Sequence, residues 1–186
     1  MNHFYQNIEG WSTLEDQGEL IKSLLTNYDR QNKIKICEIG VYMGRGTAIW
    51  NVELINAGVD YEYYAVDHFE GSIEHRITNM GPIPKIENVV KNLESILHKI
   101  NIVPKDSVTA SKLFEDQYFD IIYIDASHEY LPVREDIISW WPKLKNGGFM
   151  CGDDYVNGWP GVIQAVNELF QDRVGKIGNQ QWWTRK

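Results

Sequence analysis

The pattern of apolar and polar positions along the chain changes between two periods. Short apolar runs, which are typical of buried strands, alternate with longer segments whose apolar residues recur every three or four positions, as on one face of a helix. Strands are predicted at residues 33–40, 61–67, 100–107, 119–125 and 146–154, with a closing hairpin over 174–186. Helices are predicted at residues 12–28, 46–58, 86–100 and 160–170, and one more has Pro132 in its first turn.

Strand and helix alternate along the whole chain, and this order is typical of an α/β fold with right-handed crossovers. We therefore predict a Rossmann-like, doubly wound, mainly parallel sheet with helices on both faces and a C-terminal antiparallel hairpin. No repeat, low-complexity segment or Gly/Ser linker interrupts the pattern, so residues 1–186 are predicted to form a single domain. The first helix is expected to begin at a capping box, Ser12 and Glu15, and to carry Tyr28 on its apolar face.

Composition argues against several classes of protein. The 186 residues are 43% apolar and 24% charged, as in ordinary globular domains. The formal net charge of −8 argues against a general nucleic-acid binder, because phosphate neutralisation needs a basic face. Residues 1–10 lack the apolar core of a signal peptide, and no apolar stretch has the length to cross a bilayer. Cys37 and Cys151 lie in predicted interior strands and are expected to be reduced, which indicates a cytoplasmic protein. From the charge and the lack of an apolar span, we expect no nucleic-acid or membrane partner.

A glycine-rich turn follows the first predicted strand, in the segment CEIGVYMGRGTA. Gly40, Gly44 and Gly46 indicate a tight turn at which backbone can approach a ligand. Their spacing is neither that of dinucleotide binders nor that of a P-loop. Glu38, on the strand before the turn, favours a ligand with positive charge. Asp67 closes the next strand, where an acid commonly accepts the ribose hydroxyls of a nucleotide.

Polar side chains also follow the other strands, and ligands of such sheets bind beyond the carboxyl ends of the strands. Asp106 and Ser107 could reach an adenine edge. The segments IIYIDASHEY and GDDY place further groups at neighbouring strand ends: Asp125, His128, Asp153 and Asp154. Three carboxylates at one edge repel each other unless a cation lies between them, and hard oxygen ligands favour Mg²⁺, or else Ca²⁺ or Mn²⁺. A surface loop or a turn-capping role is the alternative for each of these residues.

Taken in order, these segments resemble the class I S-adenosylmethionine-dependent methyltransferases, in the metal-dependent O-methyltransferase group related to macrolide-sugar and catechol O-methyltransferases. The resemblance runs from Glu38 to about Phe170. EIGVYMGRG is similar to the first motif of the family, E-x-G-x-Y-x-G-x-S, except that Gly46 replaces the serine. IDASHEYLPVREDIISWWPKLKNGGFMCGDDY resembles the sugar-type branch in its Asp-x-x-His, its Trp-Pro before a Gly-Gly turn and its Asp-Asp-Tyr.

The resemblance implies a role for each matching position. Four residues would line the methionine end of S-adenosylmethionine: Glu38, Gly40, Tyr42 and Gly44. Asp67 would bind its ribose, and Thr47 would supply the cofactor carboxylate contact that the replaced serine lacks. Three carboxylates would hold Mg²⁺ or another divalent cation: Asp125, Asp153 and Asp154. His128 would stand where these enzymes place a general base, so that His128 and Asp125 form the catalytic pair.

The sequence thus indicates a Mg²⁺-dependent O-methyltransferase whose favoured small-molecule acceptor is a sugar or glycoside hydroxyl. A small-phenol or catechol-type enzyme is one alternative, and His128 in place of the lysine of catechol enzymes counts against it. A non-catalytic cofactor-binding module is another, and so is a nicotinamide-dependent dehydrogenase, which the glycine spacing disfavours. Acceptor coverage is expected from the residues around Trp11, from residues 68–85 and from a partner subunit, which leaves a homo-oligomer open.

Overall fold

The computed structural model describes residues 1–26, 32–72, 75 and 81–186, so that Tyr28 lies outside the described residues. The helices are α1 Leu14–Thr26, α2 Arg45–Asn56, α3 Ile86–Asn92, α4 Ser107–Ser111, α5 Tyr130–Trp140 and α6 Pro160–Phe170. The strands are β1 Ile34–Ile39, β2 Tyr61–Asp67, β3 Ile100–Pro104, β4 Phe119–Ile124, β5 Leu144–Gly152, β6 Gly175–Ile177 and β7 Gln181–Arg185. Short 3₁₀ turns lie at Phe4–Asn7, Leu97–Lys99, Trp141–Lys143 and Gln171–Arg173.

Within the described residues the strands form one seven-stranded sheet in the order β3-β2-β1-β4-β5-β7-β6. The first five strands of the chain pair in parallel, and β7 runs antiparallel to both β5 and β6. This confirms the predicted Rossmann-like sheet and its antiparallel C-terminal hairpin. The strand order reverses between β1 and β4, and in such sheets the crevice at that reversal is the usual place for a ligand.

Apolar side chains fill both faces of the sheet. One core packs α1 and α2 on the sheet, around buried residues such as Leu20 and Trp50. The other packs α5 and α6 on the opposite face, around residues such as Ile137 and Val166. Cys37 and Cys151 are buried free cysteines, as the pattern predicted. None of the helices in the described part of the chain has the length and apolar character needed to cross a membrane.

The helix predicted over residues 86–100 is wrong in its C-terminal half, because α3 already ends at Asn92. The Nδ2 atom of Asn92 donates to the backbone oxygen of Met43 at 2.9 Å and ties the helix end to the glycine turn. Turns then carry the chain to β3, and they bury Leu93 and Ile96, whose helical spacing suggested a continuous helix.

The capping box predicted at Ser12 and Glu15 is displaced by one residue. Since α1 begins at Leu14, Thr13 occupies the cap position, and its Oγ1 accepts a hydrogen bond from the backbone N–H of Asp16 at 3.2 Å. The same hydroxyl donates to the Asp16 carboxylate at 2.8 Å. Ser12 is therefore left to line the cavity described below.

Candidate active site

A cavity of about 880 Å³ opens at the carboxyl ends of the parallel strands. Of the twelve residues predicted to bind the cofactor or the metal or to act in catalysis, nine line it: Glu38, Gly40, Tyr42, Asp67, Ser107, Asp125, His128, Asp153 and Asp154. Three others, Gly44, Thr47 and Asp106, do not line it. The sheet therefore brings most of the predicted site together in one place, as expected for strand-end residues of a parallel sheet.

The glycine turn after β1 is held in place by close backbone contacts. Gly40 has φ +90°, and a Cβ atom there would lie only 1.9 Å from the backbone oxygen of Asp125, so no other residue fits. One oxygen of Asp67, Oδ2, accepts from the backbone N–H groups of Val41 and Tyr42 at 2.9 and 3.0 Å. The strand-end acid thus fixes the turn as well as facing the cavity.

Glu38 lies almost entirely buried beneath this turn and accepts a hydrogen bond from the hydroxyl of Thr47. Burial raises the pKa of Glu38 to about 8, against the lowering effect of the Thr47 hydrogen bond. Thr47 is fully buried, so the structure places it against Glu38 and not at the cavity surface. A Cβ atom at Gly46 would meet Glu38 Oε1 at 3.1 Å, and Gln17 Nε2 and Ser12 Oγ at 3.2 Å, which leaves little room for the family's serine.

Three carboxyl groups face one another at the β4 and β5 end of the cavity. Burial and then the negative charges of Asp153 and Asp154 raise the pKa of Asp125 well above its usual value. Burial and the charge of Asp154 raise the pKa of Asp153 to about 6. Asp153 is held by the backbone N–H of Asp154 at 2.8 Å and by the hydroxyl of Tyr123 at 3.4 Å.

These three carboxylates lie close to one another but do not form a complete set of metal ligands. Over residues 1–26, 32–72, 75 and 81–186, no group of three or more His, Cys, Asp or Glu side chains is arranged to hold a metal ion. One carboxylate, Asp154, is engaged with an imidazole instead: its Oδ2 lies 2.8 Å from Nε2 of His128.

His128 is positioned from two sides. Besides its contact with Asp154, its ring stacks on the indole of Trp159, with centroids 3.9 Å apart and planes inclined by 17°. Sequence reasoning did not identify Trp159 as a site residue. The available signal was its place directly before Pro160, the first residue of α6, and in the structure Trp159 lines the cavity.

The end of the cavity near β3 differs from the prediction. Asp106 is exposed, and its Oδ1 accepts from the backbone N–H of Thr109 at 2.9 Å, so that it caps α4. Hydrogen bonds from Thr109 lower the pKa of Asp106. Ser107 does line the cavity, and its Oγ accepts from Nε1 of Trp140 at 2.8 Å.

A further carboxyl group, Asp136, lines the cavity and is only 6% exposed. The sequence contains a signal for it: at helical spacing, position 136 shares the buried face of α5 with Val133 and Trp140, where a carboxylate needs a reason to be.

Aromatic residues stand at the mouth of the cavity. Trp11 is 58% exposed and stacks on Tyr42 with centroids 4.8 Å apart, and His75 lies 5.2 Å from the ring of Tyr42. The residues around Trp11 and parts of 68–85 therefore line the cavity. Residues 73–74 and 76–80 of that segment lie outside the described residues, and coverage of the acceptor stays a prediction.

Comparison with known protein families finds a match over most of the chain. The profile of the family described as "Methyltransferase domain" matches residues 37–155, which are more than half of the chain. An uncharacterized protein of Acanthamoeba polyphaga mimivirus is 38% identical over 60 residues. That match covers 31% of this chain and 27% of the viral protein, so it spans little more than a quarter of that relative.

Solved structures share the fold. The O-methyltransferase NovP superposes with a TM-score of 0.70 at 18% identity, over 89% of this chain and 76% of NovP. A putative caffeoyl-CoA O-methyltransferase from Staphylococcus aureus gives a TM-score of 0.66 at 14% identity, over 97% and 87% of the two chains. CalS11, a TDP-rhamnose 3′-O-methyltransferase, gives 0.60 at 13% identity, over 89% and 76%. At these identities the likeness shows a shared fold.

Proposed function

The chain belongs to the methyltransferase-domain family, and we propose that it transfers the methyl group of S-adenosylmethionine to a hydroxyl group of a sugar or glycoside. The family match and the fold confirm the resemblance to class I S-adenosylmethionine-dependent methyltransferases. The observation that carries the proposal is one cavity with two chemically different ends. The glycine turn, Glu38 and Asp67 lie at one end, and the acids of β4 and β5 with His128 lie at the other.

The first end suits the cofactor. Glu38 and the cationic parts of S-adenosylmethionine have complementary charge once the carboxyl group is ionised. Asp67 accepts hydrogen bonds from three backbone N–H groups, those of Val41, Tyr42 and Phe69. Because a carboxylate offers about four acceptor positions, one remains for a ribose hydroxyl. Gly40 lets the backbone approach the ligand without a side chain in the way.

The second end suits proton removal from an alcohol. The hydroxyl oxygen of the acceptor attacks the methyl carbon in line, the carbon–sulfur bond breaks with its electrons left on sulfur, and the hydroxyl proton goes to a base. His128 is that base in our proposal, because the Asp154 carboxylate at 2.8 Å orients the ring and stabilises the imidazolium that forms. Stacking on Trp159 keeps the imidazole in one plane and so supports the alignment that this displacement needs.

We also propose that the site uses Mg²⁺, held by Asp125, Asp153 and the second oxygen of Asp154, Oδ1, since Oδ2 contacts His128. The donor set fits a hard cation, since all its atoms are carboxylate oxygens. The raised pKa values of Asp125 and Asp153 reflect burial and mutual repulsion that a cation would offset. When bound, the ion would lower the pKa of an acceptor hydroxyl.

A sugar is favoured over a phenol by the polar lining of the acceptor end, where Asp16, Glu129 and Gln180 join the residues already described. The exposed aromatic ring of Trp11 at the rim supports the second candidate, a small phenol.

Methyl transfer to a panel of glycosides, nucleotide sugars and catechols, followed by the release of S-adenosylhomocysteine, tests the proposal. Turnover of sugar acceptors is expected. Turnover of catechols alone would show that the acceptor is a phenol and not a sugar. Binding of S-adenosylhomocysteine without turnover of any acceptor would indicate a non-catalytic cofactor-binding module. Binding of NAD in place of S-adenosylhomocysteine would contradict the proposed methyltransferase activity.

A further inference from the structure

Asp136 is a buried carboxyl group for which the proposed methyl transfer has no use. It lies on α5, is 6% exposed and faces the cavity near Ser107. A hydrogen bond from Ser107 stabilises its charged form, while Ser107 in turn accepts from Trp140 Nε1 at 2.8 Å. A carboxyl group that is nearly excluded from water and lines a cavity can accept a hydrogen bond from a ligand bound there, and that bond offsets part of the cost of its burial.

The order of the cofactor's parts determines what would lie beside Asp136. The sulfonium group must face the acceptor end at His128, and the ribose belongs at Asp67 on the end of β2. The adenine extends beyond the ribose, away from the acids of β5. On that side the described cavity wall is formed by residues following β3 and on α5, among them Lys105, Ser107 and Asp136.

Resting on the proposed use of S-adenosylmethionine, we infer that Asp136 recognises the 6-amino edge of the cofactor's adenine, with Ser107 holding the carboxyl group in place. One carboxyl oxygen accepts a hydrogen bond from the exocyclic amine. Hypoxanthine, which carries a carbonyl oxygen at that position, would place oxygen against oxygen. Asp106, which the sequence suggested for this edge, is occupied in capping α4.

Both protonation states of Asp136 can accept from the amine. Burial raises its pKa to about 7, and the charges of Glu135 on the same helix and of Asp106 before α4 act in the same direction, whereas the Ser107 hydroxyl opposes them. The neutral acid adds a donor that can reach ring N1. Like a carboxamide, however, the neutral acid can also donate to the carbonyl oxygen of hypoxanthine. The preference for adenine is therefore expected above the pKa of Asp136, where the dissociation constants are compared, and should weaken below it.

The test is the ratio of dissociation constants for S-adenosylhomocysteine and S-inosylhomocysteine, measured by calorimetry. The wild type should prefer the adenosyl ligand by about 5- to 100-fold, the effect of one good hydrogen bond against an unpaired acceptor. Asp136→Asn should bring the ratio close to one, because a carboxamide can turn its amino group toward a carbonyl oxygen. Asp120→Asn is the matched control: Asp120 is equally buried at 6%, bonds the Lys35 N–H and Lys145, and does not line the cavity, so the wild-type ratio is expected.

A wild-type ratio in Asp136→Asn would overturn the inference and leave Asp136 as a support for Ser107. If that variant does not fold, the wild type with the N6,N6-dimethyl analogue of S-adenosylhomocysteine decides, since this ligand has no amine hydrogen to donate. Equal affinity for the two would overturn the assignment of Asp136 while leaving the proposed function intact. Failure of the wild type to bind S-adenosylhomocysteine at all would overturn both.

Discussion

The Nε2 atom of His128 lies 2.8 Å from the Oδ2 atom of Asp154, across the 26 residues that separate them in sequence. The contact joins the loop after β4 to the loop after β5, so two adjacent strand ends build one carboxylate–imidazole pair. Asp154, whose side chain makes this contact, has φ +64°, in the left-handed region. Asn and Asp tolerate this region better than other residues with a side chain, so the backbone itself restricts what can stand here.

For His128, we predict that His128→Gln lowers kcat by about 10²- to 10⁴-fold, the usual range for loss of a general base, while the affinity for S-adenosylhomocysteine is kept. In the wild type kcat/KM should fall on acidification as the imidazole takes up a proton, and that limb should vanish in the variant. His98→Gln, on the exposed 3₁₀ turn, is the control. Wild-type turnover and an unchanged pH profile in His128→Gln would show that His128 is not the base.

For the metal, activity should be lost in EDTA and restored by Mg²⁺. Asp154→Asn is the variant to use, because asparagine accepts the φ of +64° whereas alanine would add strain. It should bind Mn²⁺ more weakly in titration calorimetry and keep its affinity for S-adenosylhomocysteine. Asp172→Asn, an exposed carboxylate on the last 3₁₀ turn, should behave as the wild type. Full activity in EDTA would contradict a metal requirement.

For the ribose, Asp67→Asn should weaken S-adenosylhomocysteine by about 1–3 kcal/mol, because one acceptor is replaced by a donor that faces the N–H groups of the turn. The measurement is a dissociation constant with circular dichroism as a check on folding. Asp60→Asn, an exposed acid just before β2, controls for the loss of one charge. An unchanged constant in Asp67→Asn would place the ribose elsewhere.

For the glycine turn, restoring the family's residue should destabilise this chain. Gly46→Ser adds atoms where Gln17, Glu38 and Ser12 already approach within 3.1–3.2 Å of a Cβ atom, and overpacking costs about 1–3 kcal/mol. Urea unfolding measures the loss. Gly158→Ser, where the nearest atom is 4.0 Å away, should cost less, and Gln17→Ala combined with Gly46→Ser should recover part of the stability. Equal stability of Gly46→Ser and wild type would mean that the side chains around Gly46 rearrange to accommodate the serine at little cost.

For Glu38, the raised pKa of about 8 gives a stability effect with a definite sign. The folded state holds the proton more tightly than the unfolded chain, whose carboxyl group titrates near its ordinary value of about 4.3. Stability from this group is complete below that value and is lost as the pH rises toward and through 8.

Glu38→Gln stays uncharged and should remove that loss, so its unfolding free energy should fall less between pH 5 and pH 9 than that of the wild type. Thermal melts of the ligand-free proteins across this range measure the difference, and Glu87→Gln, on the first turn of α3, is the control. Parallel curves for Glu38→Gln and wild type would show that Glu38 is already ionised in the fold.

The local pattern of apolar residues was sufficient to predict the architecture of the sheet. Apolar periodicity distinguishes strands from helices because burial selects every second residue on a half-buried strand and every third or fourth on a helix. The alternation of the two elements then leaves few topologies, and the parallel sheet with its terminal hairpin is the one observed. Where turns imitate helical spacing, as at Leu93 and Ile96, the same rule was wrong, because both patterns bury residues three apart.

The sequence by itself also determined most of the side chains that stand at the carboxyl ends of the strands, and most of these share the cavity. Only the tertiary structure decided what each of them contacts there. Thr47 and Asp106 carry groups that a cofactor could use, but a buried carboxylate takes one and a helix N-terminus the other, because unpaired polar groups are costly inside a fold. Asp136 reaches the same cavity from the middle of a helix, since packing of α5 against the sheet sets its direction, and no strand-end rule predicts that.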